Sequence, residues 1–220
     1  MTMKKLLIFL SILVGMLSYS CEKSSKNEDP DELNGDQSPM GEVGVTVSSA
    51  SSEIAGVSNF TAVITSLNDG VSSYSASATV TNVLIKNMVA GFPGVTINGD
   101  QVTITDMKMK QTKEGIKCIS GSGAGVLVKY DSEVGDTYPI GNTNYTRKVV
   151  SKTGVDDYPY GFYLIKTIQV EDMDPGVLKN TGGVNKVTYI ANHKFGLVGV
   201  RLDMDDATSV TFPVYTSAQN

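Results

Sequence analysis

The sequence predicts an all-β domain, built as an antiparallel β-sandwich or a barrel-like body, and three observations carry that expectation. Apolar and small polar residues alternate with period two through most of residues 43–220, which is the pattern of half-buried strands. Turn residues interrupt the alternation at roughly 10–15-residue spacing, as in sandwiches and barrels. No window sustains an apolar stripe at the 3.6-residue helical period, so no long helix is expected.

Taken in order, Phe60, Ala62 and Ile64 alternate with polar neighbours, and the run from Tyr74 through Val80 continues in the same style to Ile85. Val95-Thr-Ile97 and Val102-Thr-Ile104 flank Asn98-Gly99-Asp100, a hairpin signal because glycine supplies the positive φ that a tight turn needs. The second of these strands runs on through Met107 and Met109. Ile116–Ile119 and Ala124–Tyr130 pair across a Gly-Ser loop, and 131–144 reads as loop. Tyr145–Lys152 is a short basic strand, and Tyr160–Val170 is the densest run of β-formers. The last 35 residues read as a meander: Val187–Ile190, Phe195–Leu202 and Val210–Tyr215, with turns at Asn192-His193-Lys194 and Asp203–Asp206. The total is roughly ten to twelve strands of ordinary length.

Residues 1–20 have the three parts of a signal peptide: Lys4 and Lys5, an apolar stretch from Leu6 to Leu17, and small residues leading to Cys21. The apolar stretch is too short for a membrane-spanning helix. The run Leu17-Ser18-Tyr19-Ser20-Cys21 resembles the lipobox of bacterial lipoproteins, which implies acylation of Cys21 as the new first residue. Ser18 and Ser20 also satisfy an ordinary small-x-small cleavage site, which would leave a free secreted chain. Residues 21–42 then follow as a lipidated cysteine and a disordered acidic tether, rich in charge, Ser, Asn, Pro and Gly. The acids Glu22, Glu28, Asp29, Asp31 and Glu32 resemble the surface-export signal of Bacteroidetes lipoproteins; they would equally serve just to keep the tether soluble. Residues 43–220 are enough for a single domain with its own core.

The full chain carries a formal charge of −5, and losing residues 1–20 leaves 16 basic against 23 acidic side chains, a charge of −7. Such a field repels nucleic acid and anionic lipid. With Cys21 acylated, Cys118 has no disulfide partner, and its apolar surroundings in Gly115–Ile119 read as a buried small hydrophobe. His193, alone of its kind, sits in a turn without a triad to serve.

Three residue sets remain as candidates. Tyr158, Tyr160 and Tyr163, with Asp156 and Asp157 just before them, concentrate aromatic contact area that could meet a glycan or a protein, although strands also bury tyrosine routinely. Asp172 with Asp174, or Asp203 with Asp205 and Asp206, could converge on Ca²⁺, but neither set has the spacing of an EF-hand loop. Gly121, Gly123 and Gly125 join two strands and read as turn and bulge residues rather than a phosphate cradle. No Walker signature, zinc set or nucleophile elbow occurs.

The leader, the acidic tether and the β-rich body, with Val128–Asp131, Val134–Asp136 and Asn192–Gly196, together resemble uncharacterised single-domain lipoproteins of Bacteroidetes. The resemblance implies a lipid anchor in the outer membrane and assigns no activity. The expectation is a non-enzymatic binding module at the cell surface, engaging a glycan or an envelope protein. A small-ligand carrier with a barrel cavity is the first alternative, and a hydrolase using loop acids such as Asp156, Asp157, Asp172 or Asp174 is the second.

Overall fold

A computed structural model describes residues 29, 31–121, 123–172 and 183–220. The signal peptide, Cys21 and Asp174 lie outside the described residues. Among the described residues the chain is all-β apart from one short α-helix and a single 3-10 turn at Pro39–Gly41. It begins with β1 (Thr46–Ser48), β2 (Val57–Asn68) and β3 (Val71–Val80), and then α1 (Val83–Ala90). It returns through β4 (Val95–Asn98), β5 (Gln101–Thr112), β6 (Gly115–Cys118) and β7 (Gly125–Lys129). There follow β8 (Thr137–Pro139), β9 (Thr146–Lys152), β10 (Tyr158–Tyr160), β11 (Tyr163–Ile165) and β12 (Ile168–Asp172), and finally β13 (Val184–Asn192), β14 (Gly196–Met204), β15 (Ser209–Pro213) and β16 (Tyr215–Thr216).

Every strand pairing among these is antiparallel. The larger sheet runs β16-β1-β2-β3-β5-β6-β7, with β4 also on β5, and curls into a half-barrel. The second runs β15-β14-β13-β12-β9-β8, and β10 with β11 forms a separate hairpin. The two large sheets are joined at both edges. At one, the chain leaves β15 after Pro213 and lands on β1 as β16. At the other, the Gly141 N–H donates to the Ala124 carbonyl at 2.8 Å, just outside β8 and β7. The result lies between the sandwich and the barrel that the alternation left open.

Turn chemistry sets the registers. Asp69 and Gly70 both take positive φ between β2 and β3, the requirement of a type I′ hairpin. Between β4 and β5 the pair Asn98↔Gln101 closes on Gly99-Asp100, one place later than Asn-Gly spacing suggests, with Gly99 at φ +62°. The strand expected to run to Ile85 ends at Val80, because the Asn82 side chain caps α1 by accepting from the Leu84 and Ile85 N–H groups. The run expected as one strand over 160–170 is broken into β10, β11 and β12.

The core lies between the sheets. Ile116, Val126 and Val128 from the larger sheet meet Val149, Ile168, Val170 and Ala191 from the second. At the other end, Val80, Ile85 and Val102 pack with Met88 and Phe212. Arg147, only 1% exposed, crosses between sheets: its guanidinium donates to the Val126 carbonyl (3.1 Å) and the Gly123 carbonyl (2.7 Å). It also lies 5.7 Å from the centre of the Tyr189 ring.

Residues 31–42 correct the expected tether, which was to continue to 42. Leu33 joins the main core cluster and Met40 is buried. Asp31 Oδ1 accepts from the Val126 N–H (3.0 Å), and Oδ2 pairs with Lys117 Nζ (2.7 Å). Ser38 donates from its N–H to the Gln111 carbonyl (3.0 Å) and from Oγ to Asn220 Oδ1 (2.6 Å). A polar segment with only a few apolar residues is held here because each of those finds a slot and its polar atoms satisfy strand edges.

Candidate interaction site

The hairpin of β10 and β11 pairs with neither large sheet. Tyr158, Pro159 and Tyr160 pair with Ile165, Leu164 and Tyr163. The two residues between them are Gly161, at φ +58°, and Phe162. Glycine at the first turn position spares the strain a side chain would meet there. Pro159 is tolerated because a two-stranded ribbon leaves it an edge with no ladder partner to lose.

One face of the ribbon is anchored. Tyr160 stacks in tilted geometry on Phe195 (centroids 4.9 Å) and on Tyr215 (5.2 Å), and Ile165 joins Ile190 and Val198 beneath it. Burial pushes the Tyr158 and Tyr160 phenols above their ordinary value. The Tyr158 hydroxyl passes over Gly199, where a Cβ would lie 2.7 Å from it. The other parts of the hairpin face water. Phe162 is fully exposed at the tip, with Tyr163 at 69% and Leu164 at 58%. Val155, in the approach loop, is also exposed, as are Asp156 and Asp157.

The five residues singled out from the sequence therefore divide. Tyr158 and Tyr160 are packing residues, whereas Tyr163, Asp156 and Asp157 are on the surface. Phe162, part of the same aromatic run in sequence, and Leu164 complete the apolar tip although neither was among the five; an aromatic residue directly after a turn glycine was the signal, since turn tips face solvent.

Of the calcium candidates, Asp174 lies outside the described residues, and three of the others are held by protein partners. Asp172 Oδ1 lies 2.8 Å from Arg147 Nε, and its Oδ2 accepts from the Tyr189 hydroxyl (3.2 Å). Asp203 pairs with Lys186 (3.3 Å) and Arg201 (3.3 Å). Asp206 accepts from the N–H and hydroxyl of Thr208, which holds its carboxyl below the usual range. Asp205 and Asp206 line an open cleft of about 580 Å³ beside Asn82, Leu84 and Val210. Among the described residues, no three His, Cys, Asp or Glu side chains are placed to share a metal ion.

His193 is exposed in the β13–β14 turn, where its carbonyl accepts from Asn220 Nδ2 (2.6 Å). Cys118 is half-buried, and burial raises its thiol pKa. Gly123 and Gly125 form the bend whose backbone Arg147 grips, and Asp31 Oδ1 lies 3.1 Å from where a Gly125 Cβ would sit. Between the sheets, an apolar cavity of about 200 Å³ is lined by Met40, Phe60, Tyr74, Met109, Phe195 and Leu197. That falls below the roughly 300–1,000 Å³ of ordinary small-molecule sites.

Among the described residues, no helix is long and apolar enough to cross a membrane. Comparison with known proteins returns no match to any family model, curated protein or solved structure.

Proposed function

We propose that this protein is a lipoprotein of the bacterial outer membrane, acylated at Cys21, whose β-rich body is a non-enzymatic binding module presenting the β10–β11 hairpin to an envelope protein or a glycan. The leader and the position of Cys21 support the anchor and the compartment. The exposed run Phe162-Tyr163-Leu164 carries the binding reading. Isolated apolar residues are ordinary on a surface, but three in succession on a rigid projecting turn form the kind of patch that marks an interface. Aromatic side chains give large contact area for few rotors, which is why they anchor interfaces. The buried Tyr160 below makes the tip a fixed projection, so little ordering is lost on contact.

Of the acids proposed for hydrolysis, Asp172 is engaged by Arg147 and Asp156 and Asp157 are exposed in an open loop, while Asp174 lies outside the described residues. The cavity offers a carrier little room. The anchor is tested by Cys21→Ser, which should move the protein from the detergent phase to the aqueous phase and abolish radiolabelled palmitate incorporation. Unchanged partitioning of the variant would refute acylation. Protease shaving of intact cells reads the display: cleavage without lysis supports the outer face.

A further inference from the structure

We propose that the apolar cavity between the sheets binds one small uncharged aromatic molecule, with its ring among methionines and its single polar group, a hydroxyl or an N–H, donating to Gln111. The cavity has about 200 Å³ and takes its wall from both large sheets and from the N-terminal segment that carries Met40. Apolar cavities of about 150 Å³ stay dry in folded proteins and take up benzene. This one therefore has room for a single ring with a substituent, and not for the guests of carrier sites of roughly 300 Å³ and above.

The wall selects an aromatic ring. Met40, Met107 and Met109 line it together with the rings of Phe60 and Phe195. Thioethers are soft and unbranched, adapt to an irregular guest, and make favourable contacts with the edges of aromatic rings. Edge-on or offset packing against Phe60 and Phe195 adds to this. Met40 reaches the cavity because residue 196 is glycine: a Cβ there would lie 2.9 Å from Met40 Sδ. Native interiors are packed close to crystal density, so a void of this size leaves contacts unmade along its lining until a guest supplies them.

One atom sets the polarity. Gln111 is 8% exposed, and its Nε2 is used twice, donating to the Met40 carbonyl (3.3 Å) and to the Tyr74 hydroxyl. Those bonds fix which way the amide faces. Its Oε1 accepts no hydrogen bond from the described residues, and it is not among the sealed polar atoms of the interior. It is an acceptor in the wall that a guest can still reach. An acceptor calls for a donor, which a plain hydrocarbon lacks and a phenol or an indole N–H supplies. Among the described residues no charged side chain lines the cavity. A carboxylate or an ammonium would therefore enter without a counter-charge, which an apolar interior does not tolerate. The site does not depend on what the hairpin tip touches.

The test is a titration of the chain from residue 21 onward, ¹³C-labelled at its methionine methyl groups, with p-cresol, toluene and p-toluate in turn. p-Cresol should shift the methyls of Met40, Met107 and Met109 saturably and leave those of Met88 and Met204, at the other end of the core, unmoved. Toluene should bind roughly three- to tenfold more weakly, the worth of one hydrogen bond, and p-toluate should not bind. Ala62 is buried in the same wall, so Ala62→Leu fills the space. That variant should keep or raise the melting temperature and lose p-cresol. Should it fail to fold, the three titrations of the parent chain decide the matter alone. Linear, unsaturated shifts with p-cresol, equal affinity for toluene or p-toluate, or p-cresol binding retained by a folded Ala62→Leu would overturn the site and leave a packing void only.

Discussion

Arg147 places a full charge between two sheets and survives there because the backbone carbonyls of Gly123 and Val126 and the Asp172 carboxylate surround it. Arg147→Met should cost about 3–5 kcal/mol in chemical denaturation, the range for breaking a buried ion pair on one side. A cost below about 1 kcal/mol would mean the sheets do not need this link. Tyr160→Ala should cost a similar amount, about 3–5 kcal/mol by analogy with other large aromatic truncations, because its ring sits between Phe195 and Tyr215. The two residues differ in how far the sequence revealed them. Tyr160 was legible as an aromatic β-former, but whether it packs or projects was not, since alternation fixes faces only within a strand and Gly161 ends this one. Arg147 gave no signal at all: one basic residue in a basic strand looks the same exposed or buried.

At the scale of elements, the projecting tip and the N-terminal segment make opposite demands. Phe162→Ser with Leu164→Ser should leave the denaturation midpoint within about 0.5 kcal/mol of the parent, since neither side chain is buried, and should abolish partner binding. Removing residues 21–28, whose composition reads as solvated tether, should leave stability unchanged. Removing 21–42 should lower it by about 4 kcal/mol or more, because Leu33 and Met40 vacate core positions. Equal stability of the two truncations would return residues 31–42 to a tether. Strands and the closing meander were readable because period-two alternation is written residue by residue, as in Val95–Ile97 and Phe195–Leu202. The docked segment was not, because composition averages over Leu33 and Met40 and cannot show that the sheet offers each a place. The short helix was signalled by Asn82 ahead of an apolar run and Gly91 behind it, but eight residues give too few turns for a periodicity to emerge.

For the molecule as a whole, burial of tyrosine ties stability to alkaline pH. Desolvation raises the phenols of Tyr74, Tyr130, Tyr138 and Tyr189 above the ordinary value of 10.0. The folded state thus holds these protons more tightly than the unfolded chain. Their contribution is fully present below pH 10 and is lost as pH rises beyond it. Phenolate absorbance for these four should appear together with loss of the far-ultraviolet β signal; ionisation with the fold intact would contradict their burial. The central claim is that the hairpin is the working surface. Photo-crosslinking in intact cells tests it most directly, with p-benzoylphenylalanine in place of Phe162 and, as control, in place of Ile97, an exposed position on the larger sheet. A discrete protein or glycan adduct from position 162, absent from position 97 and lost on Leu164→Ser, is the expected result. No adduct at 162, lipid alone, or the same adducts from both positions would contradict it.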